Sequence, residues 1–214
     1  SLSPSAVHQG IESAEKEFGK YPLWLPWVFS GLPSIHSFQN ISDFYFPNTI
    51  INCLKWIGLP SFWNYIFHFI LAGMGVFVLL TQLGTNRLSA LFGGLSFALM
   101  PYLITMVVHG HGSQMMTTAW LPWVIWAILR LFDKTNIGNL GILGLIVGLQ
   151  LQRAHAQIAY YTWMAGGLLI LLLLWNIHNS QTNKPKWLIY TGIGLVLGLC
   201  MAMWIYLPAL NYAP

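Results

Sequence analysis

From Trp56 to Pro214 only seven side chains carry a charge: Arg87, Arg130, Asp133, Lys134, Arg153, Lys184 and Lys186. Long apolar stretches separate them. A soluble domain draws about a quarter of its residues from Asp, Glu, Lys and Arg, whereas this chain has 7% charged and 56% hydrophobic residues. So few charges cannot clothe a water-facing surface. The composition excludes a soluble enzyme, a disordered tail and a nucleic-acid binder with a basic face. The formal charge of +4 comes from scattered loop cations, the kind that collect at membrane edges. The chain reads as an integral membrane protein.

A helix crosses the apolar layer of a bilayer with about 20 residues at roughly 1.5 Å each. Six stretches are candidates: 61–83, with Asn64 and His68 near its start; 88–108, interrupted by Pro101; 114–132, rich in Trp with Pro122 inside; the short 137–151; 158–177; and 187–207. The expected fold is all-α, a polytopic transmembrane helical bundle of about six membrane segments over residues 61–214. Gly73 and Gly75, then Gly138, Gly141, Gly144 and Gly148, then Gly194 and Gly198 sit at spacings that bring helices into close approach. The run Leu168–Leu174 offers no such face and is expected to meet lipid.

Residues 1–60 form the polar remainder, read as an extracytoplasmic, interfacial loop segment. Ile11–Gly19 suits a short amphipathic helix. The prolines between Tyr21 and Pro47 oppose regular helix, and Trp24, Trp27, Tyr45 and Phe46 suit the headgroup zone. Ile50–Gly58 is expected as an interfacial helix ended by Gly58 and Pro60. Cys53 and Cys200 match no metal or redox spacing. The opening Ser1-Leu-Ser-Pro and the closing Asn211-Tyr-Ala-Pro214 read as cuts in a longer protein.

If all six segments cross, one membrane face receives Arg87, Arg130, Lys134, Lys184 and Lys186 in short loops, with Asp133 as the one acid there. The other receives Lys16, Lys20, Lys55 and Arg153 against Glu12, Glu15, Glu17 and Asp43. The excess of Lys and Arg places the first face in the cytoplasm. Residues 1–60, the loop at His109–Ser113 and the loop at Gln152–Gln157 then face outward together.

Those two outer loops hold the candidate site. His109-Gly-His111-Gly-Ser-Gln114 presents two imidazoles and an amide on a glycine-freed turn, able to hydrogen-bond a phosphate or, more weakly, to hold a divalent metal. Gln150-Leu-Gln152-Arg153-Ala-His155-Ala-Gln157 packs five polar side chains between apolar runs, and on a continuous helix Gln150, Arg153 and Gln157 would share a face. A guanidinium near membrane depth is costly and usually pairs or lines a cavity. The short run 137–151 also fits a broken or re-entrant element beside such a cavity. His109, His111, Gln114, Arg153, His155 and Gln157 are therefore candidate ligands for an anionic headgroup such as a polyprenyl phosphate. Of the few carboxylates, Asp43 sits among aromatics that would raise its pKa, which makes it the candidate base. His68 is expected to be packed and hydrogen-bonded, and Trp120, Trp123 and Trp126 to form a packing or interfacial stripe.

Three stretches carry a family resemblance: Tyr21-Pro-Leu-Trp-Leu-Pro-Trp-Val-Phe-Ser-Gly-Leu-Pro33; Gly110-His-Gly-Ser-Gln, continued by Ala119-Trp-Leu-Pro122; and Gly148-Leu-Gln-Leu-Gln-Arg-Ala-His-Ala-Gln-Ile-Ala-Tyr-Tyr161. In order and spacing they resemble the YfhO-type bacterial multi-pass membrane proteins. That family is similar to the C-type glycosyltransferases, which move a sugar from a polyprenyl-phosphate donor on the outer membrane face. The resemblance implies a longer chain in the bacterial cytoplasmic membrane. It also implies a lipid-linked sugar donor and a cell-envelope glycan acceptor. C-type enzymes commonly carry an essential acid in the first outer loop, and the corresponding Pro4–Gln9 here has none. Glycosyl transfer is the expected function, with a transporter or lipid flippase, or a non-catalytic assembly factor, as alternatives.

Overall fold

The computed structural model describes residues 13–17, 19, 24–25, 32–33, 45–56, 58, 60, 62–153, 155–176 and 184–210. They fall in two compact units, Ser1–Ser42 with Met203–Pro214 and Asp43–Ala202. In the first, a helical turn spans residues 13–17. There, β1 (Trp24–Leu25) pairs antiparallel with β2 (Leu32–Pro33), Trp24 opposite Pro33. The remaining described elements are helices.

The second unit begins with α1 (Phe46–Trp56). This helix starts four residues earlier than expected. Pro47 sits in its first turn, where a missing N–H breaks no helical bond, so the proline starts the helix rather than blocking it. Gly58, at φ +91°, follows its end. Next come α2 (Trp63–Gln82), α3 (Arg87–Ala98) and α4 (Pro101–Val108). The α3–α4 break is Pro101's doing: Met100 before it is extended (φ −62°, ψ 139°), as a residue preceding proline must be. Gly110, at φ +81°, turns the chain back into α5 (Gly112–Ala119). The irregularity at Trp120, just before Pro122, divides α5 from α6 (Leu121–Asp133). Then α7 (Ile137–Leu151), capped by Asn136, leads through a tight turn to α8 (Ala156–Asn176), and α9 (Lys184–Leu210) completes the described helices.

The fold is helical, and among the described residues five helices or helix pairs are long and apolar enough to cross a membrane: Trp63–Gln82, Arg87–Val108, Gly112–Asp133, Ala156–Trp175 and Pro185–Met203. The sixth expected segment is α7; its 15 residues reach only about 22 Å. Gly112–Asp133 is the most enclosed of the five, which explains its Trp and Thr content: these polar groups meet protein, not lipid.

α2 packs on α3, α5 and α6, and α6 on α7 and α8. Glycines permit two of the closest approaches. A Cβ on Gly94 would stand 2.6 Å from the Gly73 carbonyl oxygen, and one on Gly144 would stand 3.2 Å from that of Gly194. Gly138 and Gly141 depart from the expected pattern, since a Cβ at Gly141 would meet nothing within 4 Å. In the lipid-facing run, Leu168, Leu171 and Leu172 are exposed as expected.

The C-terminal ends of α2 and α6 and the start of α9 meet at one end of the bundle. There Gln82 Nε2 donates to Asp133 Oδ2 at 2.8 Å, and Phe132 stacks edge-on against Trp187 at 5.1 Å. At the other end α5 meets the α7–α8 turn. Single bonds between chain-distant residues thus tie each end together.

Candidate functional site

The α7–α8 turn carries the site. The helix ends at Leu151, and Arg153 N–H closes a tighter turn on the Gln150 carbonyl at 3.2 Å. Because the helix stops there, Gln150, Arg153 and Gln157 do not share one face. Gln150 is fully buried, its amide donating to Thr162 Oγ1 at 2.9 Å, while Gln157 is exposed and donates to Tyr161 Oη. Gln152 Nε2 donates to the Met201 carbonyl. These amides fix the turn in place.

Between them Arg153 points inward and is only 8% exposed. Its guanidinium carbon stands 4.6 Å from the centre of the Tyr45 ring, a cation–π arrangement. Nη2 donates to the Met116 thioether, a weak acceptor, and Nε and Nη1 have no hydrogen-bond partner among the described residues. No described carboxylate pairs with Arg153.

Tyr45 connects this cation to a hydrogen-bonded chain. Trp120 Nε1–H donates to the Tyr45 hydroxyl at 2.9 Å, and the hydroxyl lies 2.9 Å from His68 Nε2. His68 Nδ1 faces the Asn64 carbonyl at 2.7 Å. A carbonyl can only accept, so Nδ1 carries the proton in the neutral ring and Nε2 accepts from the tyrosine. Tyr45 and His68 are both fully buried. Burial pushes the Tyr45 phenol far above its ordinary range, against the opposing pull of Arg153 and the Trp120 hydrogen bond. Tyr45 therefore stays neutral and offers Arg153 a ring face rather than a phenolate. Burial also pulls Arg153 below its usual pKa, with Tyr45 and Tyr65 acting the other way. The guanidinium remains charged on any ordinary scale.

The rim above is more polar. His155 is partly buried at the start of α8, where its Nδ1 accepts from the Ile158 N–H at 3.4 Å. That leaves the proton of a neutral ring on Nε2, free to donate. Burial, the largest influence, holds His155 below the usual imidazole pKa, and His111 pushes the same way. His109 and His111 are exposed; His109 Nδ1 donates to the Thr105 carbonyl. Gln114 donates to Tyr102 Oη at 3.2 Å.

The structure thus brings Arg153 against Met116 of α5 and His111 close enough to His155 to influence it, whereas the contacts of His109, Gln114 and Gln157 are local, to Thr105, Tyr102 and Tyr161. Asp43, the candidate base, lies outside the described residues. No group of three or more His, Cys, Asp or Glu could hold a metal among the described residues, so His109 and His111 have no third ligand there.

By its neighbours in the sequence Tyr45 suits the headgroup zone. It is instead the buried floor beneath Arg153. Trp120 leaves the expected stripe to bond Tyr45, while Trp123 Nε1 donates to the Leu71 carbonyl and Trp126 stacks under Arg130. His68 is packed and hydrogen-bonded as expected. Only the Asn64–His68 spacing, one helical turn, hinted at this network.

No family model, curated protein or solved structure matches the chain.

Proposed function

We propose that the Arg153 end of this bundle binds the phosphate of a lipid-linked substrate. We further propose that the chain belongs to a YfhO-like, C-type glycosyltransferase, which moves a sugar from a polyprenyl-phosphate donor to a cell-envelope glycan at the outer face of the bacterial cytoplasmic membrane. The observation that carries the first half is the Arg153 guanidinium: buried, charged, with two unpartnered nitrogens and no described carboxylate beside it. An isolated buried charge costs several kcal/mol, and a phosphate oxygen would satisfy the free donors in the charge-assisted geometry that arginine suits. The glycosyl-transferase half rests on the resemblance of the three motifs.

In this reading the acceptor hydroxyl attacks the anomeric carbon of the donor sugar, and the bond from that carbon to the phosphate oxygen breaks. The electron pair leaves with the phosphate, where Arg153 and the Nε2–H of His155 meet the developing charge. His111 approaches the same phosphate from the rim. The hydroxyl proton passes to a carboxylate, and Asp43 is assigned that role by its place in the chain, two residues before Tyr45. A transporter would carry polar groups along several spans. Here most buried polar side chains among the described residues, including Thr117, Gln150, Gln152, Thr162 and His68, belong to the network around Arg153, while Asn139 and Thr191 lie toward the other end; this uneven distribution favours chemistry at a boundary.

Arg153→Ala and His155→Ala, made singly in the full chain, test this through analysis of envelope glycans. Loss of a charge-stabilising donor costs about a hundredfold or more in turnover, so Arg153→Ala should abolish the modification and Arg153→Lys should restore only part of it. Unchanged glycans at normal protein levels would overturn the proposal.

A further inference from the structure

At the end of the bundle opposite Arg153, a cavity of about 510 Å³ opens between α2, α6 and the start of α7. Its charged lining is mixed. The Arg130 guanidinium lies over the Trp126 ring at 5.1 Å and its Nε donates to Asn139 Oδ1 at 3.0 Å. Asp133 accepts from Gln82, and Lys134 follows one residue later. Arg130 is held from two sides at an exposed position in the cavity wall.

A second cavity, also about 510 Å³, runs between α2 and α3 and is almost wholly apolar, with Ile70, Met74 and Leu95 among its walls. Phe77 lines both cavities. Their combined α2 lining runs from Phe69 to Gln82, with Phe77 common to both. From Ile70 to Gln82 it measures roughly 18 Å at 1.5 Å per residue. That is close to one leaflet of a hydrocarbon layer about 30 Å thick. A polar, charged mouth at the membrane edge continuing into a greasy groove one leaflet deep has the shape of a glycerophospholipid.

The charges select the headgroup. Arg130, in the last turn of α6, and Lys134, the extended residue that caps it, both line the cavity and suit a phosphate diester. Asp133 between them would repel a purely anionic headgroup, but it complements an ammonium that can donate hydrogen bonds. We infer that the two cavities together hold a zwitterionic aminophospholipid, with phosphate on Arg130 and Lys134, a primary ammonium on Asp133 and an acyl chain in the α2–α3 groove. The site is independent of Arg153 and stands whether or not the chain transfers a sugar.

The test is native mass spectrometry of the delipidated full chain re-equilibrated with phosphatidylethanolamine, phosphatidylglycerol or phosphatidylcholine of identical acyl chains. Retention of phosphatidylethanolamine should exceed that of the other two by about threefold or more, as expected for one well-placed charged contact. Asp133→Asn keeps the shape and an acceptor for Gln82, and it should move the preference toward phosphatidylglycerol. Arg130→Gln with Lys134→Gln should remove the preference, and Arg153→Ala should leave it intact. Equal retention of the three lipids would overturn the assignment. So would an unchanged ethanolamine-to-glycerol ratio in Asp133→Asn, or loss of the bound lipid in Arg153→Ala alone.

Discussion

At the scale of single residues, the protein buries one cation, Arg153, and leaves two of its nitrogens without a partner among the described residues. Arg153 was legible in the sequence because a permanent charge between two apolar runs needs an explanation wherever it falls. Its floor was not legible. Tyr45 lies far away in the chain, in a proline-rich stretch with no periodicity, and nothing local tells an interfacial tyrosine from one that will close over a guanidinium. His155 supplies a second handle on the same site. Burial holds its pKa below the ordinary 6.5, so folding favours the neutral ring. The stability this gives is present above pH 6.5 and declines as pH falls through the lowered value. Binding an anion reverses the preference, because a phosphate beside His155 stabilises the charged ring. A sugar-linked polyprenyl phosphate is a diester whose single charge does not titrate in this range, so the pH slope of its binding belongs to the protein. Affinity for such a donor should rise as pH drops below about 6.5, and His155→Gln should flatten that rise. Equal slopes for the two proteins would separate His155 from the phosphate.

At the scale of elements, helix existence was legible and helix endings were less so. The six apolar runs reappear with their ends moved by a few residues, because length and apolarity alone define a span. Two features escaped. One is the early start of α1 at Phe46, where Pro47 falls in a first turn that tolerates it. The other is the stop of α7 at Leu151, which sets Arg153 in a turn rather than on a face shared with Gln157. The glycine pattern predicted close packing but could not say which glycines use it. Gly94→Ala would press a methyl against the Gly73 carbonyl oxygen, a backbone atom with no freedom to move alone. It should cost about 1–3 kcal/mol. Gly141→Ala meets open space and should be neutral or slightly stabilising, given alanine's better helix propensity. Denaturation of the two variants in mixed micelles checks this. Equal stabilities would show that the α2–α3 approach is looser than described.

For the whole molecule, the sorting of loops to two ends was already present in the alternation of the spans, and two contacts between chain-distant residues now support it. Arg153 reaches Met116 at one end, and Gln82 reaches Asp133 at the other. What the alternation could not supply was the distinct character of each end: a buried cation under a polar rim at one, and an open, mixed-charge cavity above an apolar groove at the other. We propose that the helices cross a bilayer so that the α4–α5 and α7–α8 loops share the outer face and the α6–α7 loop lies on the inner one. The most direct test replaces Cys53 and Cys200, then places single cysteines at the exposed positions 111, 157 and 134 for labelling of intact cells with a membrane-impermeant thiol reagent. The account predicts that 111 and 157 label from outside and that 134 labels only after permeabilisation. Labelling of 134 together with 111, or of 111 and 157 from opposite sides, would contradict it.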